Sequence, residues 1–121
     1  MNQMKKNYLF TLLSVLIGIS VNAQDSISVL FIGNSYVYTN DLPGTLSQLA
    51  TSLGKTTTVS SKVNGGYTFQ NHTNDPQTYT AIHQQAWDVV VLQAQSQEPS
   101  FPFSQVTTNT LPYSTQLADS V

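Results

Sequence analysis

Val29-Leu30-Phe31-Ile32-Gly33-Asn34-Ser35-Tyr36 is the stretch on which the fold turns. Its apolar run, Val29 to Ile32, reads as a fully buried strand. Gly33 breaks the run and delivers two small polar residues and a tyrosine into a loop. A helical pattern has taken over by Asp41. In an α/β fold, a strand that stops at a glycine places the next residues at the carboxyl edge of the sheet. Such folds bind ligands and present nucleophiles there. Ser35 is therefore a candidate nucleophile. The same residue types also suit an ordinary strand-to-helix turn, so the assignment depends on what the later loops bring to that edge.

Working outward, Ser26 to Ile32 is predicted as the first strand. Asp41-Leu42-Pro43 starts a helix, because Asp41 can cap it and the missing N–H of Pro43 would be unpaired in the first turn anyway. Leu42, Leu46, Leu49 and Leu53 recur at helical spacing and predict one apolar stripe facing the sheet. Gly54 serves as the C-terminal cap. Lys55 to Val63 reads as a second strand, and Asn64-Gly65-Gly66-Tyr67 as a loop. Asp75-Pro76 begins a second helix with Tyr79, Ile82, His83 and Ala86 on one face, ending at Trp87-Asp88. Val89 to Leu92 is a short third strand. Gln93 to Pro102 is a polar loop, and Val106 to Val121 has weak helical periodicity interrupted by Pro112. Alternation of strand and helix predicts parallel strands with right-handed crossovers. Loops bearing Ser35, Gly65-Gly66 and Gln93/Gln95/Gln97 would then leave the sheet at one edge.

The N-terminus reads differently. Lys5 and Lys6 precede an apolar run from Tyr8 to Val21, which is shorter than the roughly twenty residues a spanning helix needs. Val21-Asn22-Ala23 supplies small residues at −3 and −1 of a cleavage site. Residues 1–23 are thus expected to be a secretory signal peptide, leaving residues 24–121 as a secreted or periplasmic domain with no stable membrane span. In 121 residues there are 4 Lys+Arg, so a nucleic-acid-binding basic patch is excluded. Cysteine is absent, which excludes disulfides and thiolate metal sites. No His, Asp or Glu spacing suggests a metal site, and the glycines form no phosphate-binding pattern, so no cofactor is expected.

The three edge blocks resemble those of the SGNH/GDSL hydrolase superfamily of esterases and lipases. They are most similar to a secreted bacterial branch with GNS in the first block and VVLQ-x-QSQ in the third. The blocks are Phe31 to Tyr36, Asn64 to Thr68, and Asp88 to Gln97. The resemblance implies a three-layer α/β/α flavodoxin-like fold with a parallel sheet, of which this chain would hold the N-terminal portion, about three strands. It implies a serine esterase acting on small-molecule or carbohydrate esters, with Ser35 as nucleophile and Gly66 as oxyanion-hole glycine. Gln97 would stand where the family has an amide donor, with Gln95 as the competing choice. Asn34 replaces the more usual Asp. The family's late block, an Asp followed three residues on by the catalytic His, has no match, since only Ser120 and Val121 follow Asp119. The expectation is an N-terminal piece of a longer parent, inactive by itself.

His72 and His83 are the only histidines after the leader. His83 falls on the apolar helix face and reads as a packing residue, and His72 reads as a solvated loop residue. A rival reading is a non-catalytic carbohydrate- or cell-wall-binding module on the same fold, with Tyr36, Tyr67, Trp87 and Phe101 lining a groove.

Overall fold

The computed structural model describes residues 26–121. The expected signal peptide, residues 1–23, lies outside the described residues. Strand β1 (Ser26–Gly33) is followed by the one-turn helix α1 (Ser35–Tyr38) and by α2 (Leu42–Ser52). Then come β2 (Thr56–Val63), α3 (Phe69–Thr73), α4 (Pro76–Ile82) and β3 (Val89–Leu92). A 3₁₀ turn (Glu98–Ser100) leads to α5 (Phe103–Asn109) and α6 (Leu111–Ala118). The strands are parallel, in the order β2-β1-β3, with β1 in the centre. The fold is α/β with a parallel sheet, as the alternation of elements predicted, and it is consistent with part of the flavodoxin-like arrangement that the resemblance implies. No helix among the described residues is long and apolar enough to cross a membrane.

The period of two along β1 builds both halves of the core. Leu30 and Ile32 face one layer, packing with Phe69, Ile82 and Leu117 from α3, α4 and α6. Val29 and Phe31 face the other, with Val37 from α1 and Leu46 from α2. Every residue from Val29 to Ser35 except Ser35 itself is buried, so β1 has the continuous apolar run of a strand covered on both faces. At its opposite end Asp88 locks the entry to β3. Its Oδ2 accepts from the Ser28 N–H and hydroxyl, both at 2.7 Å. These bonds hold the Asp88 carboxyl below its ordinary range.

Several local expectations are corrected. The loop after Ser35 and the loop before Asp75 each contain a short helix. Asn34 caps α1, accepting from the Tyr36 N–H at 3.2 Å, and Thr68 and Asn71 form a capping box on α3. The helix from Pro76 stops at Ile82 instead of reaching Trp87, and the Ala81 carbonyl in its last turn takes both the Gln84 N–H at 3.4 Å and the Trp87 indole N–H at 3.0 Å. His83 therefore caps α4 and is exposed, not packed. The C-terminal segment breaks at Thr110, just before Pro112, which sits in the first turn of α6.

The leucine stripe of α2 is the largest departure. Only Leu46 packs on the core; Leu42, Leu49 and Leu53 are 45%, 57% and 69% exposed. The helix lies over β2, the edge strand among the described residues, and overhangs it. No charged residue lies between Asp41 and Lys55 to oppose association. We expect the chain to self-associate through this face. Leu49→Glu with Leu53→Lys should lower the apparent mass in light scattering without changing the circular dichroism spectrum. An unchanged mass would refute the assignment of that face.

Candidate active site

The carboxyl end of β1 brings together residues from all three blocks. Gly33 ends the strand, and its carbonyl accepts from the Asn64 N–H at 3.2 Å and from His72 Nε2–H at 2.9 Å. A methyl group on Gly33 would stand 2.7 Å from Gln93 Oε1 and 2.8 Å from Val37 Cγ2. The bare backbone is what lets Gln93 and α1 close over the strand end.

Asn34 is 2% exposed and ties the blocks together. Its N–H donates to Gln93 Oε1 at 3.0 Å, and its Nδ2 donates to the Tyr67 carbonyl at 3.0 Å. Its Oδ1 takes the Tyr36 N–H. The Gln93 Nε2 is in turn turned onto the Ala94 carbonyl. The Tyr67 carbonyl can only accept, so the position needs an amide donor. Asn34→Asp puts an acceptor, charged near neutral pH, against that carbonyl. It is expected to lower stability by about 2–4 kcal/mol, read as a fall in the urea midpoint. A midpoint unchanged from wild type would contradict this network.

Ser35 is the first residue of α1, next to that network. It is half-buried, and its hydroxyl makes no hydrogen bond among the described residues. Its N–H, at the start of a helix, has no intrahelical acceptor. The second block turns at Gly65-Gly66, where Gly66 has φ +72° and the Tyr67 N–H closes the turn onto the Asn64 carbonyl at 3.2 Å. A side chain at that φ is disfavoured, which accounts for the glycine. The Gly66 residue is exposed, and its N–H donates to nothing among the described residues.

The third block separates its glutamines by role. Gln93 holds Asn34. Gln95 is spent locally: its Oε1 accepts from the Gln97 N–H at 2.7 Å and its Nε2 donates to Ser96 Oγ at 3.2 Å. The Gln95 N–H is anchored on the buried Glu98 carboxylate at 3.1 Å. Gln97 is exposed, and its carboxamide has no partner among the described residues. Of the two candidate amide donors, Gln97 is the one with its side chain uncommitted.

His72 is corrected from a solvated loop residue to a buried one, 1% exposed, on α3. The Gly33 carbonyl accepts only, so Nε2 carries the proton. Nδ1 then accepts from the Thr78 hydroxyl at 3.0 Å. Tyr67 meets its ring edge-on, centroids 5.0 Å apart. Burial pushes the imidazole below its ordinary pKa, an effect larger than the opposing bond from Gly33; Lys62 also lowers it and Asp75 raises it. Both nitrogens are engaged, Nε2 by the strand end and Nδ1 by Thr78, which leaves neither for proton transfer to Ser35. His83 ends α4, which precedes β3, so it lies toward the opposite, amino edge of the sheet. Of the aromatic groove residues, Tyr36 is 65% exposed at the site, whereas Trp87 packs into the core.

Asn34 and Gln93 stand inside the first and third blocks, but nothing in the motifs gave them the role of tying the blocks together. His72 lies four residues past the second block and carried no local sign of burial.

In comparisons with known proteins, no family, no curated protein and no solved structure matches the chain. The resemblance to the SGNH/GDSL hydrolases rests on the three short blocks alone.

Proposed function

We propose that this chain carries the nucleophile of an exported bacterial serine esterase. The observation that carries the reading is Ser35. Its hydroxyl is uncommitted at the carboxyl end of the central strand, beside the point where β2 and β3 diverge to either side of β1. Open α/β sheets bind ligands at such crevices. In this reading Ser35 Oγ attacks the ester carbonyl as a base removes its proton. The tetrahedral oxyanion is met by the Ser35 N–H, the Gly66 N–H and the Gln97 amide. Collapse expels the alcohol and leaves an acyl-serine, which water hydrolyses. Since His72 is committed and His83 is remote, the base is assigned to a residue outside this sequence. The resemblance implies an Asp-x-x-His block for that role.

Reaction of the intact parent protein with a fluorophosphonate tests the reading. One adduct is expected, on the tryptic peptide containing Ser35, and prior incubation with a slow ester substrate should delay it. A folded parent that stays unlabelled, or is labelled elsewhere, would overturn the proposal.

A further inference from the structure

Beside the second block lies an open cleft of about 500 Å³, lined by Asn64, Tyr67, Asn71, Asn74, Asp75, Pro76 and Gln77. Its size is that of small-molecule sites, but its walls are amides where most such sites are apolar. The charges at its rim are spent on each other. Asp75 Oδ2 pairs with Lys62 Nζ at 2.9 Å, Asp75 Oδ1 accepts the Gln77 N–H at 2.9 Å, and Lys62 also reaches Gln77 Oε1 at 3.2 Å. Neither an anion nor a cation finds an unpaired countercharge here. The amides, in contrast, are largely unspent. The side chains of Asn64 and Asn74, the Nδ2 of Asn71, the Nε2 of Gln77 and the Tyr67 hydroxyl have no partner among the described residues.

We infer that this cleft is a subsite for a neutral sugar ring. A carboxamide offers an acceptor and two donors, and a sugar hydroxyl is both donor and acceptor. Several amides around one space therefore match a rigid ring bearing several neutral hydroxyls. Tyr67, held in place by His72, adds an amphipathic wall. The cleft joins the proposed reaction centre through the backbone: Tyr67 follows Gly66, and its carbonyl is bonded to Asn34, the neighbour of Ser35. In the esterase reading, on which this part alone rests, the sugar carries the ester that Ser35 attacks. The substrate class is then an acylated neutral saccharide.

The test separates binding from chemistry. The full-length Ser35→Ala protein is titrated with cellobiose, xylobiose and di-N-acetylchitobiose, followed by calorimetry and by amide NMR shifts. At least one of these sugars should bind saturably, with shifts concentrated at Asn64, Tyr67, Asn71 and Asn74. Asn64→Ala together with Asn74→Ala should weaken that binding by about tenfold or more, while the spectrum keeps its dispersion. The subsite is refuted if a folded protein shows no saturable shift in the cleft with any of the three. It is equally refuted if shifts fall elsewhere, or if trialanine produces the cleft shifts and the sugars do not. Absence of p-nitrophenyl acetate hydrolysis by the wild type would refute the nucleophile instead and leave the sugar-binding result standing.

Discussion

Ser35→Ala in the intact parent is expected to lower kcat for p-nitrophenyl acetate by roughly 10⁴–10⁶-fold, with the fold unchanged by circular dichroism. The size of the effect follows from the role. A nucleophile forms the covalent bond, so its removal eliminates the acyl-enzyme route rather than weakening one contact. The structural cost should be small, because the hydroxyl has no partner among the described residues to leave unpaired. Gln97→Ala should lower kcat by about 10²–10³-fold, as loss of one oxyanion donor does, with KM nearly constant. Gln95→Ala should affect turnover less, since its amide is committed to Gln97 and Ser96. Wild-type turnover in Ser35→Ala would remove the nucleophile assignment. A larger effect at Gln95 than at Gln97 would reassign the amide donor.

His72→Ala is expected to be the most destabilising single change at the site, by about 3–4 kcal/mol. It empties a buried ring-sized volume, removes a donor from the Gly33 carbonyl and leaves the buried Thr78 hydroxyl without its acceptor. The same residue should give stability a pH dependence. In the folded state burial depresses its pKa below the ordinary 6.5, so the unfolded chain binds the proton more readily. Its contribution is therefore complete above about pH 6.5. It declines as pH falls below that, with a slope of at most about 1.4 kcal/mol per unit, until the folded imidazole also protonates. Lys62 and Asp75 face the same ring. The Asp75 carboxyl is held low by Lys62 and by the Gln77 N–H, so its own contribution is lost only in a more acidic window, as pH falls through its folded pKa. Urea titrations between pH 8 and pH 5 should show the decline in wild type and a flat profile in His72→Phe. Parallel profiles would show that His72 is not the titrating group.

The alternation of elements was legible from residues near each other in the chain. A continuous apolar run ending at glycine, a capping Asp followed within two residues by Pro, and the Val89 to Leu92 run each encode a local preference strong enough to survive in the fold. Asp41 and Asp75 both cap as their sequence context predicts. Convergence of the three blocks at one edge followed from parallel topology alone. The missed helices, α1 and α3, are a single turn each, too short to show a period.

What the sequence by itself determined is thus the α/β alternation, the full burial of β1 and the edge at which the loops bearing Ser35, Gly66 and the glutamines emerge. These depend on hydrophobic period and turn chemistry, which are local. Tertiary structure alone decided how the polar residues at that edge are used. His72 stands between Asn71 and Thr73, a context that reads as solvated, yet it is buried through a bond to Gly33, 39 residues away. Three glutamines of identical chemistry within five positions were divided by the path of the loop, one to Asn34, one to its own neighbours and one left free. The leucine stripe of α2 announced an apolar face, but only the width of the sheet beneath it decided that Leu46 packs while Leu42, Leu49 and Leu53 overhang. Burial and hydrogen-bond satisfaction depend on partners brought from distant parts of the chain, and no local pattern specifies which partner arrives.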